Sequence, residues 1–155
     1  MKFLTFIFIT VLALNAQAQL DRKAIYNALA SDSKEIVQKQ LDGIINMKES
    51  SEVKAFKGAL QMKAAQFQKT PKDKMSLFSI GKKLLESEIK SNDGNAEYRF
   101  LRLLIQENAP KQLKYNGNIE EDVVSIVSGY SKLKESTKAA IESYAKKSAS
   151  LKNLL

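Results

Sequence analysis

NIEEDVVSIVSG, residues 118–129, is the stretch on which the fold turns. Val123, Val124, Ile126 and Val127 are β-branched, and such residues favour an extended strand. Two observations favour helix instead. Asn118 with Glu121 three residues later forms a helix start signal, and Glu120, Glu121 and Asp122 place negative charge where a helix N-terminus is positive. Alternation of period two is weak elsewhere, so no partner strand is visible. The stretch is read as helix, and with it the whole chain as all-α.

Working outward, apolar residues fall at helical spacing almost throughout, and proline occurs only at Pro71 and Pro110, between periodic blocks. Just upstream, Ala96 to Gln106 carries Tyr98, Phe100, Leu101, Leu103, Leu104 and Ile105 around nearly its whole circumference, which predicts the most buried helix. Asn108-Ala109-Pro110 stops it, and Lys111 to Gly117 reads as a loop or single turn. Before it, Pro71 suits the first turn of a helix bearing Phe78, Gly81, Leu85 and Ile89, ended by the turn Asn92-Asp93-Gly94-Asn95. Ser50 or Ser51 caps a helix to about Gln68, with Val53, Phe56, Leu60, Ala64 and Phe67 on a large face and Ala55, Gly58, Ala59 and Met62 on a small one. Such a helix packs between two neighbours.

Two shorter helices precede these. The first spans about Arg22 to Ala30 with Ala24, Ile25, Ala28 and Leu29 on one face. Asp32 and Glu35 resemble a capping box for the second, whose buried stripe is Val37, Leu41, Ile44 and Ile45. At the other end, Ser136 opens a last helix with Ile141, Tyr144, Ser148 and Leu151 on one face. The predicted architecture is about seven helices forming short antiparallel hairpins, stacked as a small bundle or solenoid over 19–155.

Residues 1–18, MKFLTFIFITVLALNAQA, read as a secretory signal peptide: Lys2 is the positive n-region, Phe3 to Leu14 the apolar h-region, and Ala16-Gln17-Ala18 the cleavage site. The expected product starts at Gln19 and is periplasmic or secreted. The apolar run is shorter than the roughly 20 residues of a membrane-crossing helix, and no later segment approaches that length, so no transmembrane segment is expected in the mature chain. With no cysteine, neither a disulfide nor a lipid anchor is available.

Composition narrows the chemistry. The formal charge of +8 is carried almost wholly by lysine, since Arg22, Arg99 and Arg102 are the only arginines, and basic residues do not interleave with aromatics as single-strand binders require. No nucleic-acid partner is expected. The absence of histidine and cysteine excludes Ser-His-Asp and Cys-His nucleophiles, histidine acid-base catalysis and His/Cys zinc sites. Gly-rich phosphate loops, Ser-x-x-Lys and regular calcium loops are missing, so no metal or cofactor is predicted.

Ser51 to Leu60 and Asn95 to Leu104 echo each other about 44 residues apart, each beginning at a polar cap and setting Phe and Leu four apart, as in Phe56/Leu60 and Phe100/Leu104. Gly58 and the turn Asp93 to Tyr98 complete a pattern over 51–101 that resembles a degenerate tetratricopeptide-type unit. The resemblance implies stacked helix pairs whose inner face holds a peptide or partner protein. Two helical hairpins of similar length meet the same pattern.

Arg99, Arg102 and Gln106 form a polar stripe on the otherwise apolar fifth helix. An arginine fork there could hold a carboxylate or phosphate of a ligand, or pair with Glu86, Glu88, Glu107 or Asp122 of the chain itself. Tyr98, Tyr115, Tyr130 and Tyr144 could line a groove or pack in the core. Glu120, Glu121 and Asp122 splay around a helix by roughly 100° per residue, which favours helix-end stabilisation over a cation or acid-base site. These features favour a non-catalytic protein- or peptide-binding module with a concave face built from the third, fifth and sixth helices, anchored by Arg99, Arg102, Gln106, Tyr98 and Tyr130. The alternative is a basic protein attached by lysine charge to an anionic polymer or membrane surface of the envelope. A carboxylate-based cell-wall enzyme is the third reading, for which no acid in an apolar pocket is evident.

Overall fold

The computed structural model describes residues 19–152, so the predicted signal peptide lies outside the described residues. They form seven α-helices and no strand: α1 (Arg22–Ala30), α2 (Lys34–Ile45), α3 (Ser51–Ala64), α4 (Pro71–Ser91), α5 (Ala96–Asn108), α6 (Ile119–Gly129) and α7 (Glu135–Ala145). Single 3₁₀ turns follow α3 (Ala65–Phe67), precede α6 (Lys111–Leu113) and follow α6 (Tyr130–Lys132). No helix among them is long and apolar enough to cross a membrane.

The decisive stretch is helix. Ile126 is fully buried with Asp122 one turn before it, while Val124 is 69% exposed, a contrast that only a period near 3.6 produces. The start signal works differently from expectation. Asn118 makes no side-chain cap; its amide donates to Glu121 Oε2 at 3.1 Å, and its backbone N–H goes to Gln106 Oε1 at 3.1 Å. The orphan donor is thus met by α5 rather than locally.

α3 and α4 form an antiparallel hairpin whose register is visible along its length. Ser51 receives the Asn92 amide at 3.0 Å, Lys54 Nζ lies 3.9 Å from Glu88, and Gly58 meets Gly81. Ser50 and Thr70 cap the two helices through the N–H groups of Val53 and Asp73, with Pro71 at the first turn of α4. α5 and α6 form the second hairpin: Gln106 sits by Asn118 at one end and Ala96 packs against Gly129 at the other. The two echoing stretches are therefore the first helices of consecutive hairpins.

α5 is the centre of the molecule, with every residue from Ala96 to Gln106 buried. Phe100 touches Tyr26 of α1 and Tyr144 of α7 at centroid separations of 5.5 and 6.0 Å, and Tyr26 meets Phe56 of α3 edge-on at 5.6 Å. α2 covers α3, and α7 closes the stack against α1. Three local expectations are corrected. Ser33, not Asp32, caps α2 by accepting from the Ile36 N–H, because the helix begins at Lys34, while Asp32 lies outside it near Lys63. Ile45 is 52% exposed, since α2 ends there and only Val37, Leu41 and Ile44 face the core. α7 begins at Glu135 with no side-chain cap, which leaves Ser136 inside the helix.

Candidate functional site

The polar stripe of α5 points into the α5–α6 interface, where Asp122 is fully buried. Arg102 donates Nε and one terminal nitrogen to the two Asp122 oxygens at 2.8 and 2.6 Å, the bidentate fork a planar guanidinium allows. Gln106 Nε2 reaches Asp122 Oδ2 at 2.6 Å, and Arg99 reaches Oδ1 at 3.3 Å. Arg99 also pairs with Glu121 at 2.7 Å and with Asp93. The other terminal nitrogen of Arg102 binds Glu86 of α4 at 2.8 Å, and Tyr115 donates to the same carboxylate at 2.5 Å.

The electrostatics follow from this enclosure. Burial alone would lower the pKa of Arg102, but Asp122 and Glu86 outweigh it and the net shift is upward. Burial, followed by Glu86, pushes the Tyr115 hydroxyl far up. Glu121 is held below the ordinary carboxylate range by Asn118 and Arg99. Of the four acids considered as partners, Glu86 and Asp122 pair with the stripe, whereas Glu88 lies by Lys54 and Glu107 binds the chain near Ser150. Arg99 and Arg102 thus line none of the main surface cavities among the described residues, while Gln106 borders one beside Tyr115 and Tyr144. The donors of the stripe are taken by carboxylates of the chain because its helix sits in the middle of the stack.

Tyr115 joins this network through Glu86, whereas Tyr98 and Tyr130 do not gather with it. Tyr98 is buried and shares a hydrogen bond of 3.1 Å with Ser51 of α3. Tyr130 lies half-buried on the turn after α6 and donates to Glu142 at 2.5 Å, a bond that pushes its pKa up to about 12. A second buried network is absent from the sequence expectations: Glu97 accepts from Arg22 at 3.0 and 3.3 Å, from Tyr26 at 3.2 Å and from Thr137. It ties α1, α5 and α7 together. All three arginines are therefore buried in ion pairs, and the exposed positive charge belongs to lysine.

An open feature lies where the C-terminal ends of α3 and α5 meet the start of α4. A groove of about 350 Å³ is floored by Met62, Phe78, Leu104 and Ile105 and walled by Met75 and Leu113. Met62, Phe78, Leu104 and Ile105 are buried side chains of the core, while Met75 is half exposed. Lys63 and Lys74 stand among the lining residues, none of which is acidic. The groove comes from residues distant in sequence: the 3₁₀ turn after α3, Pro71 of α4 and the Lys111–Leu113 turn leave space between three helix ends. Sequence periodicity marks Met62, Phe78, Leu104 and Ile105 only as apolar helix-face residues, and Leu113 falls in the stretch read as a loop.

No protein-family model, curated protein or solved structure matches the chain.

Proposed function

We propose that the protein is a non-catalytic binding module, working outside the cytosol as its N-terminal segment suggests, and that the groove between α3, α4 and α5 receives an apolar segment of a protein or peptide partner. The observation that carries this reading is an apolar floor of ligand size, open to the surface and edged by a few polar groups, the usual make-up of a binding site. Two of its six principal side chains are methionines, which adapt to differently shaped apolar partners. The non-catalytic reading is supported by the disposition of the buried carboxylates. Asp122 and Glu97 are each occupied by several donors, and Glu107 is shifted down rather than up, opposite to a poised general acid.

Methyl NMR of the methionines tests the proposal. A pool of amphipathic helical peptides of mixed charge should perturb the Met62 and Met75 methyls and leave Met47, which packs elsewhere, unmoved. Unmoved Met62 and Met75 signals across the pool would refute it.

A second reading has its own observation. With the arginines buried, the excess of positive charge among the described residues is displayed by lysines, a distribution suited to loose attachment to an anionic envelope polymer or membrane surface. Such attachment falls steeply with ionic strength, whereas insertion into an apolar groove falls less. Vesicle or polymer sedimentation at low and high salt separates the two.

A further inference from the structure

We infer that the occupant of the α3–α4–α5 groove is an acidic amphipathic helix of a partner protein. This rests on the binding-module reading and adds the chemistry and conformation of the partner.

The charge comes from the rim. Among the lining residues the ionisable groups are Lys63 and Lys74, and Lys72 and Lys111 directly flank lining positions in sequence. Lys63 meets the highly exposed Asp32 at 3.4 Å, and Asp73 receives the Thr70 hydroxyl at 2.8 Å in the cap of α4, whereas Lys74 has no carboxylate within 4 Å among the described residues and is the lining lysine left for a partner's acid. An apolar floor inside a lysine margin fits a partner whose apolar stripe is bordered by Asp and Glu. Such rim charges choose the partner and speed its approach more than they hold it.

The conformation comes from the backbone. The described residues hold no strand, so an extended peptide finds no sheet edge to pair with. A segment entering an apolar groove must satisfy its own N–H and C=O groups, and a helix does so within itself. A groove of about 350 Å³ takes only a few side chains, as a helix offers from positions one turn apart.

The test uses three labelled helical peptides that share one leucine stripe and differ only in their flanking positions, Glu, Gln or Lys, titrated by fluorescence anisotropy against residues 19–155. The Glu peptide should bind about tenfold more tightly than the Gln peptide at low salt, with the advantage shrinking at high salt. It should also shift the Met62 and Met75 methyls. Lys63→Glu/Lys74→Glu, and Lys74→Glu alone as the milder change, should erase or invert the preference with the helical circular dichroism unchanged.

Equal binding of all three peptides at Met62 and Met75 would overturn the acidic partner and leave the groove reading standing. Tight binding of the Glu peptide that leaves both methyls unmoved would place it on the lysine surface and overturn the inference. A concentration-dependent dimer in sedimentation velocity that covers Met75 would make a second copy of the chain the occupant, and also overturn it. No binding by any peptide, with both methyls unmoved, would refute the groove reading together with the inference.

Discussion

Gly58 and Gly81 meet backbone to backbone where α3 crosses α4. A Cβ on Gly58 would stand 2.7 Å from the Gly81 carbonyl oxygen and 2.8 Å from the Leu85 nitrogen, and one on Gly81 would stand 2.9 Å from the Met62 nitrogen. The hairpin depends on the missing side chains, since backbone atoms cannot rotate away as a flexible side chain can.

Gly58→Ala is therefore expected to destabilise. Inside a helix the exchange ordinarily gains up to about 1 kcal/mol. Here the overpacking cost of about 1–3 kcal/mol exceeds that gain. Gly43, in α2 with nothing within 4 Å of its would-be Cβ, is the control, and Gly43→Ala should stabilise by about 0.5–1 kcal/mol. Urea unfolding of both variants measures the opposite signs; a Gly58→Ala protein as stable as the parent would show that the hairpin is not this tight.

Asp122→Asn is expected to cost about 3–5 kcal/mol, because it leaves Arg99 and Arg102 without a buried counter-charge. Arg102→Ala should likewise lower the melting temperature, and added salt should change either effect little, since screening reaches buried pairs poorly. Replacing the pair together, as Arg102→Met/Asp122→Leu, should recover part of the loss. An Arg102→Ala protein that melts like the parent would instead make the guanidinium available to a ligand.

At high pH the five tyrosines act in one direction. Burial raises Tyr26, Tyr98, Tyr115 and Tyr144, and the Glu142 bond raises Tyr130 to about 12. An unfolded chain loses its tyrosine protons near pH 10, so above that the folded state holds more protons than the unfolded one. Stability from these groups is complete below about pH 10 and is lost as pH rises toward and beyond 12. Tyrosinate absorbance should appear together with the loss of helical circular dichroism. A full tyrosinate signal in a still-helical protein at pH 10.5 would contradict this.

The helices were legible because each carries its own local signals. Pro71 at the start of α4, Asn95 before α5 and the Asn92–Asn95 turn are statements about one stretch of backbone, and the bounds of α4 and the start of α5 follow from them. Ile45 is misplaced because a periodic stripe does not reveal that its own helix ends at that residue. The destination of the α5 stripe was legible as two alternatives, and Asp122 decided between them only once α6 was folded back on α5. Glu97 and Arg22 are 75 residues apart, so no spacing rule connects them. The groove is a property of three helix ends brought together, and its floor residues look like any other core residues along the chain.

Glu107 supplies the acid-side counterpart. Burial would raise its pKa, but hydrogen bonds from Ser150, Tyr144 and Ser148 outweigh burial and lower it. The unfolded chain then binds the proton more readily than the folded one, so stability rises with pH. The contribution is complete above the ordinary glutamate value of about 4.3 and is lost as pH falls through the lower folded-state value. Glu107 Oε1 takes the Ser148 hydroxyl at 3.0 Å and the Ser150 N–H at 2.9 Å, which fastens the buried Leu151 turn to the end of α5. Glu107→Gln keeps the shape but weakens these bonds, and should cost about 1–2 kcal/mol at pH 7 and much less at pH 3. Its stability should therefore depend less on pH between 5 and 3, and the Ser150 and Leu151 amides should exchange faster at neutral pH. Unchanged exchange at those two amides would mean that the turn is held by the burial of Leu151 alone.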